Sequence, residues 1–153
     1  MAKRSAGILL HRMRDGGPQL LLVHPGGPFW RNKDLGSWSI PKGEYGDDES
    51  PRDAALREFA EETGHRPDPG ALVELGEIRQ KGGKSVLAWA LRGEFDPAQL
   101  VSNPVELPWP PRSGRTASFP EVDRAEWFDP ATAREKLIPA QAEFVDRLLA
   151  ALS

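Results

Sequence analysis

Two short apolar runs, Gly7 to His11 and Gln19 to His24, flank Asp15-Gly16-Gly17-Pro18. Apolar runs around a Gly-rich turn predict a β-hairpin. From His24 to Gly36 the composition is that of a loop, with Pro25, Gly26, Gly27, Pro28 and Gly36. Trp38-Ser39-Ile40 alternates as a short strand does, and Pro41 closes it. Ser50-Pro51-Arg52-Asp53 reads as a helix start. Ser50 is the cap, Pro51 suits the first turn, and Asp53 stands at the capping-box position. That helix runs to about Thr63, where Gly64 and then Pro67 stop it.

Leu72 to Ile78 and Ser85 to Leu91 are strand candidates joined by the turn Lys81-Gly82-Gly83-Lys84. Phe95 to Pro120 is rich in proline and reads as a long irregular loop, the kind of segment that is mobile or functional. Arg124 to Phe128 predicts one more strand, Asp129-Pro130 a helix start, and Pro139 the start of a last helix. In that helix Phe144, Leu148 and Leu152 recur at helical spacing. Strands, one internal helix, further strands and terminal helices make an α+β pattern.

The 153 residues suit one domain over 1–153. Twenty-three acids against 20 bases give a formal charge of -3. Binders of nucleic-acid polymers carry a basic excess, so none is expected as a partner. The balance leaves room for a small anionic ligand on a local basic cluster. There is no cysteine, which excludes disulfides, zinc–cysteine centres and thiol nucleophiles, and a cytoplasmic setting is the default. The apolar run Ala6 to Leu10 is too short for a signal-peptide core, and no segment approaches a membrane span.

The chemistry concentrates on the helix from Ser50 to Thr63. Glu58, Glu61 and Glu62 stand at i, i+3 and i+4, hence on one side. Leu56, Phe59 and Ala60 are read as the opposite, core-facing side, and Ala54 leaves room one turn before the acids. Three neighbouring carboxylates repel by a few tenths of a kcal/mol per pair, and Arg57 relieves Glu61 across one turn. A solvated acidic face is the plain reading of such a helix. The Gly-rich turn Lys42-Gly43-Glu44-Tyr45-Gly46 before it, and Glu49 beside its cap, favour another: carboxylates next to free carbonyls are the hard-oxygen setting of Mg²⁺ or Mn²⁺.

Gly43, Glu49, Arg57, Glu58, Phe59, Glu61, Glu62 and Gly64 stand at the spacings of the Nudix box, and the segment resembles it. Phe59 stands at a position open to any bulky apolar residue; with usage near 7% per residue type, the other seven matches, all fixed, arise by chance on the order of once in 10⁸ windows. His65 departs from the aliphatic residue usual after the last glycine, which bears on local packing. Trp38-Ser39-Ile40-Pro41-Lys42-Gly43 also resembles the family's lead-in to the box. Its Lys42 is more like the branch acting on dinucleoside polyphosphates than the branch acting on oxidised nucleoside triphosphates.

The resemblance implies an α/β/α sandwich: a mixed sheet with the carboxylate helix on one face and the terminal helix on the other. It implies divalent-metal-dependent hydrolysis of a phosphoanhydride in a nucleoside diphosphate linked to another group. Sugar nucleotides and diphosphoinositol compounds are further substrate classes, and a nucleotide sensor that does not cleave is the alternative. Carried over by position, Glu58, Glu61, Glu62 and the carbonyl of Lys42 are metal ligands, Arg57 orients Glu58, and Glu49 supports the loop. Glu58 is the first candidate for general base and Glu121, placed before a late strand, the second. For the substrate, Lys81, Lys84, Arg112 and Arg115 offer charge, with solvated turns as the plain reading. Trp30, Phe29 and Tyr45 offer stacking faces, with anchors onto the core as the plain reading of the loop aromatics Phe29 and Trp30. The three histidines have no partner spacing and receive no role.

Overall fold

A computed structural model describes residues 3–153. Strands β1 (Arg4–Arg14) and β2 (Gly17–Pro25) form the expected hairpin, longer than its apolar runs. Arg14 pairs with Gly17, so the turn is only Asp15-Gly16, with φ of 44° and 89°. Two successive left-handed residues make the turn that matches strand twist, and Asp-Gly suits it. Gly17 and Pro18 thus belong to the strand.

The remaining elements are β3 (Lys42–Glu44), α1 (Pro51–Thr63), β4 (Val73–Arg79), β5 (Ser85–Arg92), β6 (Pro104–Pro108), β7 (Thr116–Pro120), β8 (Val122–Phe128), α2 (Pro130–Lys136) and α3 (Ala142–Leu152). The main sheet has the order β4-β5-β1-β2-β8. β1 and β5 run parallel and the other pairs antiparallel, so the sheet is mixed.

Both faces of this sheet are covered, which is why its central strands are continuously apolar. Ile8, Leu10, Leu21 and Val23 pack with Ala54, Ala55 and Phe59 of α1. Leu9, Leu20 and Leu22 face the other way, onto Leu137 and onto Phe144, Val145 and Leu148 of α3. The result is the expected sandwich, with α1 on one face and the terminal helices on the other.

Three expectations are corrected. Trp38-Ser39-Ile40 is not a strand: Trp38 and Ser39 make single bridges to Leu137 and Val23. The strand lies just beyond, at β3, where a Gly-rich turn was expected. β3 pairs with Ser5–Gly7 of β1, whereas β2 pairs with His11–Arg14. β1 thus changes partner along its length, and the sheet opens a cleft where β2 and β3 diverge. Gly7 allows the crossing, since a Cβ there would lie 2.6 Å from the Pro41 carbonyl oxygen.

The third correction concerns Phe95 to Pro120. It contains a 3₁₀ turn (Pro97–Gln99) and a two-stranded hairpin, β6–β7, apart from the main sheet. A two-stranded ribbon has only edge strands, which tolerate Pro104, Pro108 and Pro120.

α1 begins and ends as its sequence dictates. The Asp53 amide donates to Ser50 Oγ, Pro51 opens the first turn, and Gly64 closes the helix at φ 81°. An added Cβ at Gly64 would lie 2.7 Å from the Val101 carbonyl oxygen, whereas Gly82, also left-handed at φ 93°, faces open space. Left-handed strain costs about 1–2 kcal/mol for a residue with a Cβ. Gly82→Ala is therefore expected to lose about that much in urea unfolding, and Gly64→Ala more than about 2 kcal/mol. Equal losses would mean that Val101 yields freely.

Candidate functional site

Burial, not the acid pattern, sets the orientation of α1. Ala54, Ala55, Glu58, Phe59, Glu62 and Thr63 are its buried residues. Phe59 faces the core as expected, and Leu56, half-buried, packs against the same cluster; Ala60 does not, and with Leu56, Arg57 and Glu61 it lines an outer cleft of about 570 Å³. The three glutamates therefore do not share a solvent face. Glu58 and Glu62 continue the row begun by Ala54, at i, i+4 and i+8, and turn toward the sheet. Glu61 stays outside.

The turn before α1 is shaped to receive these two carboxylates. A Cβ on Gly43 would lie 1.9 Å from Glu58 Oε2, so only glycine lets the carboxylate rest against the backbone. The Lys42 amide donates to Glu62 Oε1 at 3.2 Å. From the other side, Arg57 grips Glu49 with two bonds of 2.8 Å, from Nε to Oε2 and from Nη2 to Oε1. Its Nη1 donates to Glu58 Oε1 at 2.8 Å and to Glu61 Oε2 at 2.6 Å. One guanidinium thus ties three acids together, a geometry lysine cannot reproduce. Glu49 holds Arg57, and Arg57 holds Glu58.

Glu121 arrives from the far end of the chain. It stands between β7 and β8, its amide donating to the Asn103 carbonyl at 2.9 Å and its carbonyl accepting from the Gly26 amide at 3.0 Å. Oxygens of Glu58, Glu62 and Glu121 lie within 4.8 Å of one another. Burial pushes the Glu62 carboxyl well above its ordinary range, and the charge of Glu121 adds to this. Burial also raises Glu58, with Arg57 opposing. The Arg57 hydrogen bonds hold Glu49 low. Two buried acids and a third beside them, with few protein donors, form an oxygen set suited to a divalent cation, which would relieve both desolvation and repulsion.

The cleft around them holds about 440 Å³ and is also lined by Trp30, Lys42 and Lys84. Burial lowers the Lys42 ammonium, and Lys84 adds to this. Lys84 lies 3.7 Å from Glu44 Oε2 at the rim. The other expected substrate groups are elsewhere. Lys81 is exposed on the β4–β5 turn, outside the cleft lining. Tyr45 packs against the core with Arg4 5.1 Å above its ring. Arg112 and Arg115 are exposed between β6 and β7.

Two histidines without an expected role have structural ones. His24 is fully buried, its Nδ1 2.7 Å from Asp123 Oδ1 and its Nε2 2.6 Å from the Lys33 carbonyl oxygen. It pins the 26–37 loop to β8; only its place at the end of an apolar run hinted at burial. The His65 ring packs edge-on to Phe59 at 6.5 Å and lies 5.8 Å from Phe95, filling the aliphatic position of the box.

A sequence model of the NUDIX domain matches residues 1–148. The RNA pyrophosphohydrolase of Rhizobium meliloti is 28% identical over 130 residues, 76% of this chain and 72% of that one. The RNA pyrophosphohydrolase of Brucella anthropi is 28% identical over 128 residues, 74% of this chain and 68% of that one. Among solved structures, a binary complex of the C. elegans Ap4A hydrolase superposes with a TM-score of 0.66 at 21% identity, covering 99% of this chain and 98% of that one. The NUDIX domain of Shewanella oneidensis NrtR, complexed with ADP ribose, gives 0.67 at 17% identity, covering 100% and 90%. At these identities the structural likeness speaks for the fold alone.

Gly43→Ala tests the seat of Glu58. Its methyl group must displace the carboxylate, so Mn²⁺ affinity by titration calorimetry is expected to fall about 10–100-fold. The far-UV circular dichroism should be unchanged. Undiminished affinity would remove Glu58 from the cation site.

Proposed function

The chain belongs to the NUDIX domain family and is a hydrolase of phosphoanhydrides, and we propose that its substrate is a nucleoside diphosphate linked to another group, cleaved with Mg²⁺ or Mn²⁺. The observation that carries this reading is the convergence of the Glu58, Glu62 and Glu121 carboxylates within 4.8 Å, in a cleft that Lys42 and Lys84 also line.

Glu58, Glu62 and Glu121 would hold the ion. Glu61, carried over as a ligand from the family resemblance, is bound to Arg57 at the rim and takes a lesser part. A bound divalent cation supplies charge neutralisation for phosphate oxygens, a lowered pKa for water and alignment of attack. The protein's own groups do the rest. Lys42 and Lys84, which line the same cleft as the acids, offset phosphate charge. Arg57 fixes Glu58 through Oε1, which leaves the lone pairs of Oε2 to be divided between the ion and a proton from water. Glu58 is therefore the preferred general base. Glu121 is held by backbone bonds from two segments and serves chiefly as a ligand. The Lys42 amide keeps Glu62 turned inward.

Dinucleoside polyphosphates fit the Lys42 lead-in and the Ap4A hydrolase neighbour. RNA 5′ ends enter as a second reading because both curated relatives bear the name RNA pyrophosphohydrolase. The net charge of -3 favours the small substrate.

The test is a panel of Ap4A, nucleoside triphosphates, ADP-ribose and a 5′-triphosphate RNA, with and without Mg²⁺. Glu58→Gln, Glu62→Gln and Glu121→Gln are each expected to lose about 10²-fold or more in kcat, and Glu61→Gln less. Binding of the panel without cleavage by the wild type would favour a sensor.

A further inference from the structure

A second cleft adjoins the carboxylates. It holds about 680 Å³, within the roughly 300–1,000 Å³ of small-ligand sites. Its lining comes from the 25–30 loop, with Pro28 and Trp30, from the β6–β7 hairpin, with Leu107, Trp109 and Pro111, and from Glu121. Pro25, Trp30 and Glu121 line both clefts, so the two are continuous. Large apolar faces lie open there. Phe29 is 66% exposed and Trp109 38% exposed.

The hairpin cleft is poor in hydrogen-bonding groups. Pro28, Pro108 and Pro111 carry no N–H. The amides of Gly26, Trp30 and Trp109 are already bonded, to the carbonyls of Glu121, Gly27 and Arg115. Among the lining side chains the polar groups are Glu121, at the border with the carboxylates, and two indole N–H groups.

We propose that this cleft is the nucleobase subsite of the enzyme, which holds the base by stacking on Trp30 and Trp109 and hardly reads its identity. The inference rests on the phosphoanhydride site proposed above, since the shared lining is what delivers the base when the phosphates lie at Glu58, Glu62 and Glu121. Every base has a π-face, so recognition by aromatic rings tolerates base exchange. Discrimination between bases needs hydrogen bonds to their edges, and a lining with most of its amides bonded or missing supplies few.

The hairpin is what makes this a pocket. Trp30 alone would be a loop aromatic on an open surface. Glycine lets the two segments close: a Cβ on Gly26 would lie 2.0 Å from the Pro120 carbonyl oxygen, and one on Gly27 2.9 Å from Leu107 Cδ1.

The experiment is calorimetric titration of the full chain, in Mg²⁺, with AMP, GMP and ribose 5-phosphate. AMP is expected to bind about tenfold or more tightly than ribose 5-phosphate, with GMP within about threefold of AMP. Trp109→Ala and Trp30→Ala should each erase most of the AMP advantage, and Trp109→Phe should keep it. Trp30 lies outside the hairpin, so its variant answers even where Trp109→Ala unfolds β6–β7. Equal binding of AMP and ribose 5-phosphate by the wild type would overturn the inference, as would a tenfold preference for one purine. An AMP advantage that survives both alanine variants would do the same. Cleavage of the nucleotide panel with equal AMP and ribose 5-phosphate binding would sink the subsite and leave the hydrolase reading. A tryptophan-dependent AMP advantage without cleavage would do the reverse.

Discussion

Two carboxylates, Glu58 and Glu62, are turned toward the sheet where a helix normally places apolar residues, and much of the surrounding structure serves to make that tolerable. Taking an ionised carboxylate out of water costs several kcal/mol unless charge and hydrogen bonds replace the lost hydration. Here the replacement is partial by design of the backbone. Glu58 receives one bond from Arg57 and rests on the bare Cα of Gly43, and Glu62 receives one amide from Lys42. Arg57 is itself held by the bidentate bond it donates to Glu49. These contacts orient the acids without neutralising them, and oxygens of Glu58, Glu62 and Glu121 stay within 4.8 Å of one another. A fully satisfied network would be more stable and would have nothing left to offer a cation.

The third acid shows how the fold extends this arrangement. A line of backbone hydrogen bonds leaves the end of α1, where the Val101 amide donates to Thr63 and the Asn103 amide to Glu61. It continues from Asn103 to Glu121, and from Glu121 to the Gly26 loop. Ser102 Oγ adds a bond from the Val122 amide. Helix, hairpin base, late strand and aromatic loop are thereby stitched at one place, and Glu121 sits at the stitch. Main-chain bonds carry the positioning, which leaves the side chain free for chemistry.

Much of this was legible in the sequence, and the gaps have physical causes. The limits of α1 were readable because Ser50, Pro51 and Gly64 act locally. The acids were identifiable because i, i+3 and i+4 spacing is helical geometry. Their facing was misread, since a polar–apolar pattern assigns acids to water, and Glu58 and Glu62 are buried on the side that Phe59 also faces. Glu121 could be suspected but not placed, because backbone bonds between distant segments leave no mark on composition. β6 and β7 were hidden by their prolines, which rule out a central strand but not a two-stranded ribbon.

The hairpin also changes the meaning of Trp30. As a loop aromatic its plain reading is an anchor onto the core, with a platform for a flat ligand as the other. The loop is already anchored elsewhere, by His24 between Asp123 and the Lys33 carbonyl and by Asp34, whose carboxylate accepts from Trp38 Nε1 at 2.8 Å and Lys136 Nζ at 2.6 Å. With the loop pinned by polar contacts at its far end, Trp30 is not needed as its anchor. Lys33 stands 3.7 Å over the ring of Phe29 and 5.1 Å from that of Trp30, a cation–π contact that orders the pair from the solvent side. An aromatic residue held in place by its neighbours, at the border of two connected clefts, has its stacking cost largely met before any ligand arrives. That preorganisation favours the platform reading over the anchor.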